Sequence, residues 1–140
     1  MKQASQMRWC WAVIFVGAVY LLAGIVFGAL AGSASSHQMR VIWRFAAWVI
    51  SAAAFASHIW YEQFRLRSSP VTTASHAALA AALGAFFLAA AANIHGLASG
   101  SGHRPLLHLA LVVWPVLTAA SAFVVALALA GVLALGPFGE

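Results

Sequence analysis

Six histidines and one internal acid are the residues of this 140-residue chain whose types could support acid–base or ligand chemistry. His58 and Glu62 stand four positions apart, and His76 ends a second copy of the tripeptide Ala-Ser-His that also ends at His58. Residues four apart share one face of a helix, so the side chains of His58 and Glu62 would project together. Ionisable groups close to hydrocarbon are costly, which makes these residues functional candidates by default.

The histidines divide into two groups if the apolar segments that carry them alternate in direction. His58 and His76 would then meet at one side of the protein, and His95 and His108 at the other. Imidazoles on neighbouring helices are typical axial ligands of haem, and small residues one turn away let the flat ring approach the helix. The four histidines are therefore candidate ligands of haem b or another tetrapyrrole.

A metal site is a second hypothesis for the same stretch. His58 and Glu62 on one helix, with His76 on the next, would offer two nitrogens and a carboxylate to zinc or iron. A simpler interpretation pairs Glu62 with Arg65 or Arg67 and leaves the histidines bonded to serine, backbone or water in the headgroup zone. The residues alone leave all three interpretations open.

Four apolar segments must position these groups. Hydrophobic residues make up 64% of the chain and charged residues 6%, with a mean hydropathy of +0.96, so too little polar surface remains for a water-soluble fold. The first segment corresponds to about 35 Å of helix, enough to cross a bilayer. We predict an all-α integral membrane protein, a single domain in which four transmembrane helices with short loops form an up-down-up-down bundle. The predicted spans are about 9–31, 41–64, 73–97 and 105–135.

Particular residues predict how these helices begin, end and bend. Pro70 should interrupt the chain after the second helix, and Thr72 or Thr73 should cap the third. Pro115 should kink the fourth helix because it has no N–H to donate. Tryptophans near the segment ends, including Trp9, are predicted to be anchors at the membrane interface.

Small residues recur every four positions on three of the segments, where another backbone can approach closely. The members are Gly24, Gly28 and Gly32 on the first segment, Ala77, Ala81, Ala85 and Ala89 on the third, and Thr118, Ala122, Ala126 and Ala130 on the fourth. Such stripes predict helix packing, either inside the bundle or against another membrane subunit.

Charge and motif content bound the function. The net charge of +5 lies at the ends of the apolar segments, which fits a bilayer with anionic headgroups and not nucleic acid. Four basic residues at one side against three at the other predict that both termini are cytoplasmic, in a bacterial inner membrane.

The chain has no nucleophile beside a base and no phosphate-binding loop, so we expect a non-enzymatic protein. The expected role is an accessory or assembly subunit that packs against a membrane-protein partner or a second copy of itself. The alternatives are a redox subunit that binds haem and a small transporter or channel. The latter would be lined by Asn93 and Thr118 beside the kink at Pro115.

Overall fold

The computed structural model describes residues 2–99 and 104–135, and within these ranges the chain forms four α-helices and no strand. The helices are α1 (Lys2–Ser33), α2 (His37–Phe64), α3 (Pro70–Ser99) and α4 (Arg104–Leu135). The all-helical prediction is confirmed. Each helix contains a stretch long and apolar enough to cross a membrane. The orientation of the termini stays a prediction.

The start of α3 differs from the predicted one. The helix begins at Pro70, and its cap is Ser69, whose hydroxyl accepts the Thr72 N–H at 3.2 Å. Neither Thr72 nor Thr73 is the cap. Proline suits the first helical position because an N–H there would have no intrahelical acceptor. At the start of α2 the side chain of Ser36 plays the same capping role.

The packing centres on α1 and α3, with α2 against α1 and α4 against α3. The start of α1, the end of α2 and the start of α3 meet at one end of the bundle, named here the Glu62 end. There Ile59 of α2 packs with Ala74 of α3 and with Ala126 and Ala130 of α4. Successive helices therefore run in opposite directions. α2 makes only limited contact with α3 and α4.

Alanines and one glycine let the other helices approach α3 closely. The four alanines of its predicted stripe are buried, none more than 7% exposed: Ala77, Ala81, Ala85 and Ala89. Gly84 lies beside them, in contact with Tyr20 of α1. A Cβ at position 84 would lie only 2.6 Å from Tyr20 Cδ1, so a larger residue would not fit there. With so little side-chain bulk, α3 accepts both α1 and α4 at short range.

Among the described residues, only part of the glycine stripe of α1 packs against another helix. A Cβ at Gly24 would lie 2.6 Å from the Cδ1 atom of Leu88 on α3, so this glycine is a packing position. At Gly28 and Gly32 a Cβ would meet no atom of the described residues within 4 Å. These two glycines lie on a helix face that the rest of the described chain does not cover.

Candidate functional site

The carboxylate of Glu62 is fully buried although it belongs to the only internal acid of the chain. It projects from the last turns of α2 between two partners. The Ser68 hydroxyl donates to Oε2 at 2.7 Å, and Nδ1 of His76 lies 3.1 Å from Oε1. Each carboxylate oxygen thus has one hydrogen-bond partner, which is the usual condition for burying such a group.

The connection between α2 and α3 is shaped so that Ser68 reaches Glu62. The Ser68 N–H donates to the Glu62 carbonyl at 3.1 Å, and the Leu66 N–H donates to the Tyr61 carbonyl at 3.2 Å. Arg67 has a φ of 51°, in the left-handed region that residues other than glycine rarely adopt. A left-handed residue after a helix end reverses the chain and satisfies its last carbonyls. The left-handed conformation of Arg67 therefore turns the chain so that the Ser68 side chain points to the Glu62 carboxylate.

His76 is fixed by two contacts. Its ring stacks on the indole of Trp9 from α1, with ring centroids 4.4 Å apart and an interplanar angle of 2°. The stacking fixes the plane of the imidazole, and the hydrogen bond to Glu62 fixes its rotation. The side chain of His76 keeps 18% exposure, so it is the accessible member of the pair. Trp9, predicted to be an interfacial anchor, is a ring partner of this histidine.

His58 lies one turn before Glu62 on α2 and is only 3% exposed. Neither of its ring nitrogens has a hydrogen-bond partner among the described residues. A neutral imidazole carries one donor and one acceptor, and leaving a buried polar group unsatisfied costs about 1–3 kcal/mol. His58 lies in a helix that is apolar enough to cross a membrane, where a buried ionisable side chain is a functional candidate.

The three residues predicted to bind a metal, His58, Glu62 and His76, therefore lie in one region of the bundle. Within residues 2–99 and 104–135, however, no three histidine, cysteine, aspartate or glutamate side chains are grouped so that they could hold a metal ion. The simpler interpretation also differs from the structure. Glu62 pairs with His76 and not with Arg65 or Arg67, which are exposed.

A cleft opens between α2 and α4, with α1 and α3 as its floor. Its volume is about 530 Å³, and most of its lining is apolar. The hydroxyl-bearing residues in the lining are Tyr20, Ser51, Thr118 and Ser121. Because Thr118 and Ser121 donate to carbonyls of their own helix, only their oxygen lone pairs remain for a guest.

The residues predicted to line a transport path separate in the structure. Thr118 lies in the cleft wall, and its hydroxyl donates to the Trp114 carbonyl at 2.8 Å, beside Pro115. Asn93 is buried elsewhere in α3, where its Nδ2 donates to the Ala89 carbonyl at 2.9 Å. The cleft is therefore walled by the region around the proline of α4 and not by Asn93.

The four histidines considered for a tetrapyrrole lie in different surroundings. His58 is sealed in the bundle, and His76 has one ring face covered by Trp9, whereas His95 and His108 are exposed. A porphyrin requires an apolar slot with a histidine in its wall. Among the described residues that line the cleft there is no histidine. The geometry therefore does not support haem binding.

The cleft and the buried polar groups lie one helical turn apart. Ala54 lines the cleft and precedes His58 by four residues on α2, while Ala80 lines it and follows His76 by four on α3. Helical side chains lean toward the helix N-terminus, so the His58 ring lies over the turn that carries Ala54. The imidazole of His58 therefore stands between Glu62 and the nearer end of the cleft.

These features define a four-helix bundle with a buried carboxylate–imidazole pair beside an apolar cleft. No known protein family matches the chain, and neither do any curated proteins or solved structures. Function must therefore be inferred from the buried pair, from His58 and from the cleft.

Proposed function

We propose that the protein is a non-enzymatic integral membrane protein whose α2–α4 cleft binds a lipid-like guest, a molecule with a long apolar body and few polar groups. The observation that carries the proposal is the cleft of about 530 Å³ with its mainly apolar lining. Ligand sites typically have volumes of about 300–1,000 Å³, occur between the helices of bundles and contain a few placed polar groups.

The dimensions of the cleft favour an elongated guest. Its lining runs from Ala47 to Phe55 on α2 and from Trp114 to Val125 on α4. These stretches correspond to about 12 Å and about 16 Å of helix rise. A guest that arrives from hydrocarbon gains nothing from the hydrophobic effect, because it leaves an apolar solvent. Selectivity must then come from the shape of the walls and from the hydroxyl groups within them.

Photolabelling tests this function. The probe is a hexadecyl alcohol with a diazirine in its chain, added to vesicles that contain the full-length protein. We expect mass spectrometry to find label on cleft residues that excess unlabelled 1-hexadecanol removes. Label on the exposed helix faces should resist competition, because bulk lipid contacts those faces without saturation.

A matched pair of variants localises the label. Ala122→Leu extends a larger side chain into the cleft and should abolish the competed label. Ala120→Leu makes the same change at an exposed position of α4 and should leave the label intact. The proposal fails if the wild-type protein shows no competed label, or if both variants are labelled like the wild type.

A second candidate function, the accessory or assembly subunit, is favoured by Gly28 and Gly32. Both have open space where a Cβ would stand, so another transmembrane helix could pack closely against this part of α1. Gly28→Leu should weaken co-purification with a membrane partner, or between two differently tagged copies, in mild detergent. Ala18→Leu, at another exposed position of α1, is the control. Equal co-purification of the two variants would contradict this function.

A further inference from the structure

We propose that His76, Glu62 and His58 form a proton relay leading from the Glu62 end of the bundle toward the cleft. The three groups follow one another inward: His76 is 18% exposed, Glu62 is fully buried, and His58 lies one turn deeper along α2. Chains of acidic and imidazole side chains inside membrane proteins are typical of proton pathways. This activity goes beyond guest binding and does not require that the cleft be occupied.

The first transfer uses a contact already in place. A proton taken up at Nε2 of His76 creates an imidazolium, whose Nδ1–H faces Oε1 of Glu62 at 3.1 Å. Passing that proton to the carboxylate gives a neutral imidazole and a carboxylic acid. Because the Glu62 side chain has no exposure of its own, protons must reach it through a partner, and His76 is the titratable one.

For the second transfer the Glu62 side chain must leave Ser68 and His76 and rotate toward His58. Residues four apart on a helix have Cβ atoms about 5–6 Å from each other, and Glu62 leans toward the turn that carries His58. Neither nitrogen of His58 has a hydrogen-bond partner in the part of the chain that the structure describes, so the unprotonated one can accept the proton. The carboxylic acid returns to a carboxylate and His58 becomes an imidazolium. Only a proton moves. Before the next transfer, His76 must return to its Nδ1–H tautomer and His58 must release its proton.

Few other titratable groups face this path. Residues 116–135 of α4 contain no ionisable side chain, and His76 is the only one between residues 70 and 94 of α3. The other described ionisable side chains near this end are exposed except for the half-buried Tyr61: Arg8, Cys10, Tyr61, Arg65 and Arg67. The Ser68 hydroxyl, bonded to Oε2, is the rival entry point for a proton.

Histidine ¹⁵N NMR of the full-length protein in nanodiscs tests the relay through the rate at which the His58 ring N–H exchanges with solvent. In the wild-type protein we expect fast exchange despite burial. Glu62→Gln removes the proton carrier and His76→Phe keeps a ring for stacking on Trp9, so each should slow exchange about tenfold or more. A merely structural role predicts the opposite sign, because loosened packing speeds the exchange of a buried group.

Three comparisons keep the outcome unambiguous. His95→Phe, at an exposed histidine on the same helix as His76, should leave the rate unchanged. Ala122→Leu should also leave it unchanged, so failure of guest binding and failure of the relay are separable. Slowing by Ser68→Ala but not by His76→Phe would overturn entry through the histidine. Slow exchange in the wild-type protein overturns the relay even if no variant folds.

Discussion

Gly84→Ala tests the contact that joins α1 to α3. A Cβ at position 84 would lie 2.6 Å from Cδ1 and 2.9 Å from Cβ of Tyr20, and real Cβ atoms essentially never come within 3.0 Å of a heavy atom to which they are not linked through the local chain. The Cβ of Tyr20 cannot move away without its backbone. The substitution should therefore push the two helices apart locally and not merely turn a ring.

Two opposing terms set the magnitude. Alanine favours a helix over glycine by at most about 1 kcal/mol, whereas overpacking a well-packed interior costs about 1–3 kcal/mol. For Gly84→Ala we expect the second term to prevail, with a net loss of up to about 2 kcal/mol. For Gly28→Ala only the first term applies, because no atom lies within 4 Å of the new Cβ. Gly24→Ala should fall between them, since the clashing atom is a methyl group of Leu88 that can rotate.

The assay is a reversible SDS titration in mild detergent, followed by near-ultraviolet circular dichroism of the tryptophans. The free energies of unfolding should order as Gly28→Ala above Gly24→Ala above Gly84→Ala, with about 2 kcal/mol between the extremes. If Gly84→Ala has the same free energy of unfolding as Gly28→Ala, Tyr20 does not pack against Gly84. The close approach of α1 to α3 at this position would then be refuted.

Three further changes can be measured in the same titration. Arg67→Gly relieves the left-handed φ of 51° and should raise the free energy of unfolding by up to about 1 kcal/mol, a gain that Arg67→Ala should not share. Ser68→Ala removes the donor to the buried carboxylate and should cost about 1–3 kcal/mol, whereas Ser75→Ala, which loses only an exposed bond within α3, should change stability by less than about 0.5 kcal/mol. Ala126→Leu should cost about 1–3 kcal/mol at a fully buried site, while Ala128→Leu at an exposed site should be neutral. Equal effects of Ser68→Ala and Ser75→Ala, or of Ala126→Leu and Ala128→Leu, would refute the contacts assigned to Ser68 or Ala126.

The helical class could be predicted from the sequence because long uncharged segments leave few alternatives. Only a helix satisfies all of its backbone groups within one such segment. The start of α3 could not be placed as surely. Ser69, Thr72 and Thr73 all have side chains that cap helices, and the choice depends on Pro70 taking the first helical position.

The polar site was predictable only in part. Spacing places His58 and Glu62 on one face of α2, and the connection to α3 brings His76 near. Nothing in the spacing says that Ser68 and not an arginine will meet the carboxylate. That choice follows from the left-handed conformation of Arg67, which a non-glycine residue rarely adopts.

The stacking of Trp9 on His76 escaped prediction for a different reason. It joins residues of α1 and α3 that are far apart in sequence, and it depends on how these two helices cross. The crossing is fixed by contacts such as Tyr20 against Gly84, which no local pattern encodes. A tryptophan near a helix end is compatible with an interfacial anchor and with a buried ring partner alike.

Small residues have opposite consequences in two parts of this bundle. On α3 the buried alanines let the neighbouring helices close in, as their spacing predicts. On α2 the small residues that face α4, Ala47 and Ser51, line a cleft instead. At the Glu62 end Ile59 of α2 packs with alanines of α3 and α4, although α2 as a whole makes only limited contact with these two helices. The cleft lining on α2 ends at Phe55, and His58 and Glu62 follow on the same helix, so the proposed guest site and the proposed proton relay are neighbours along α2.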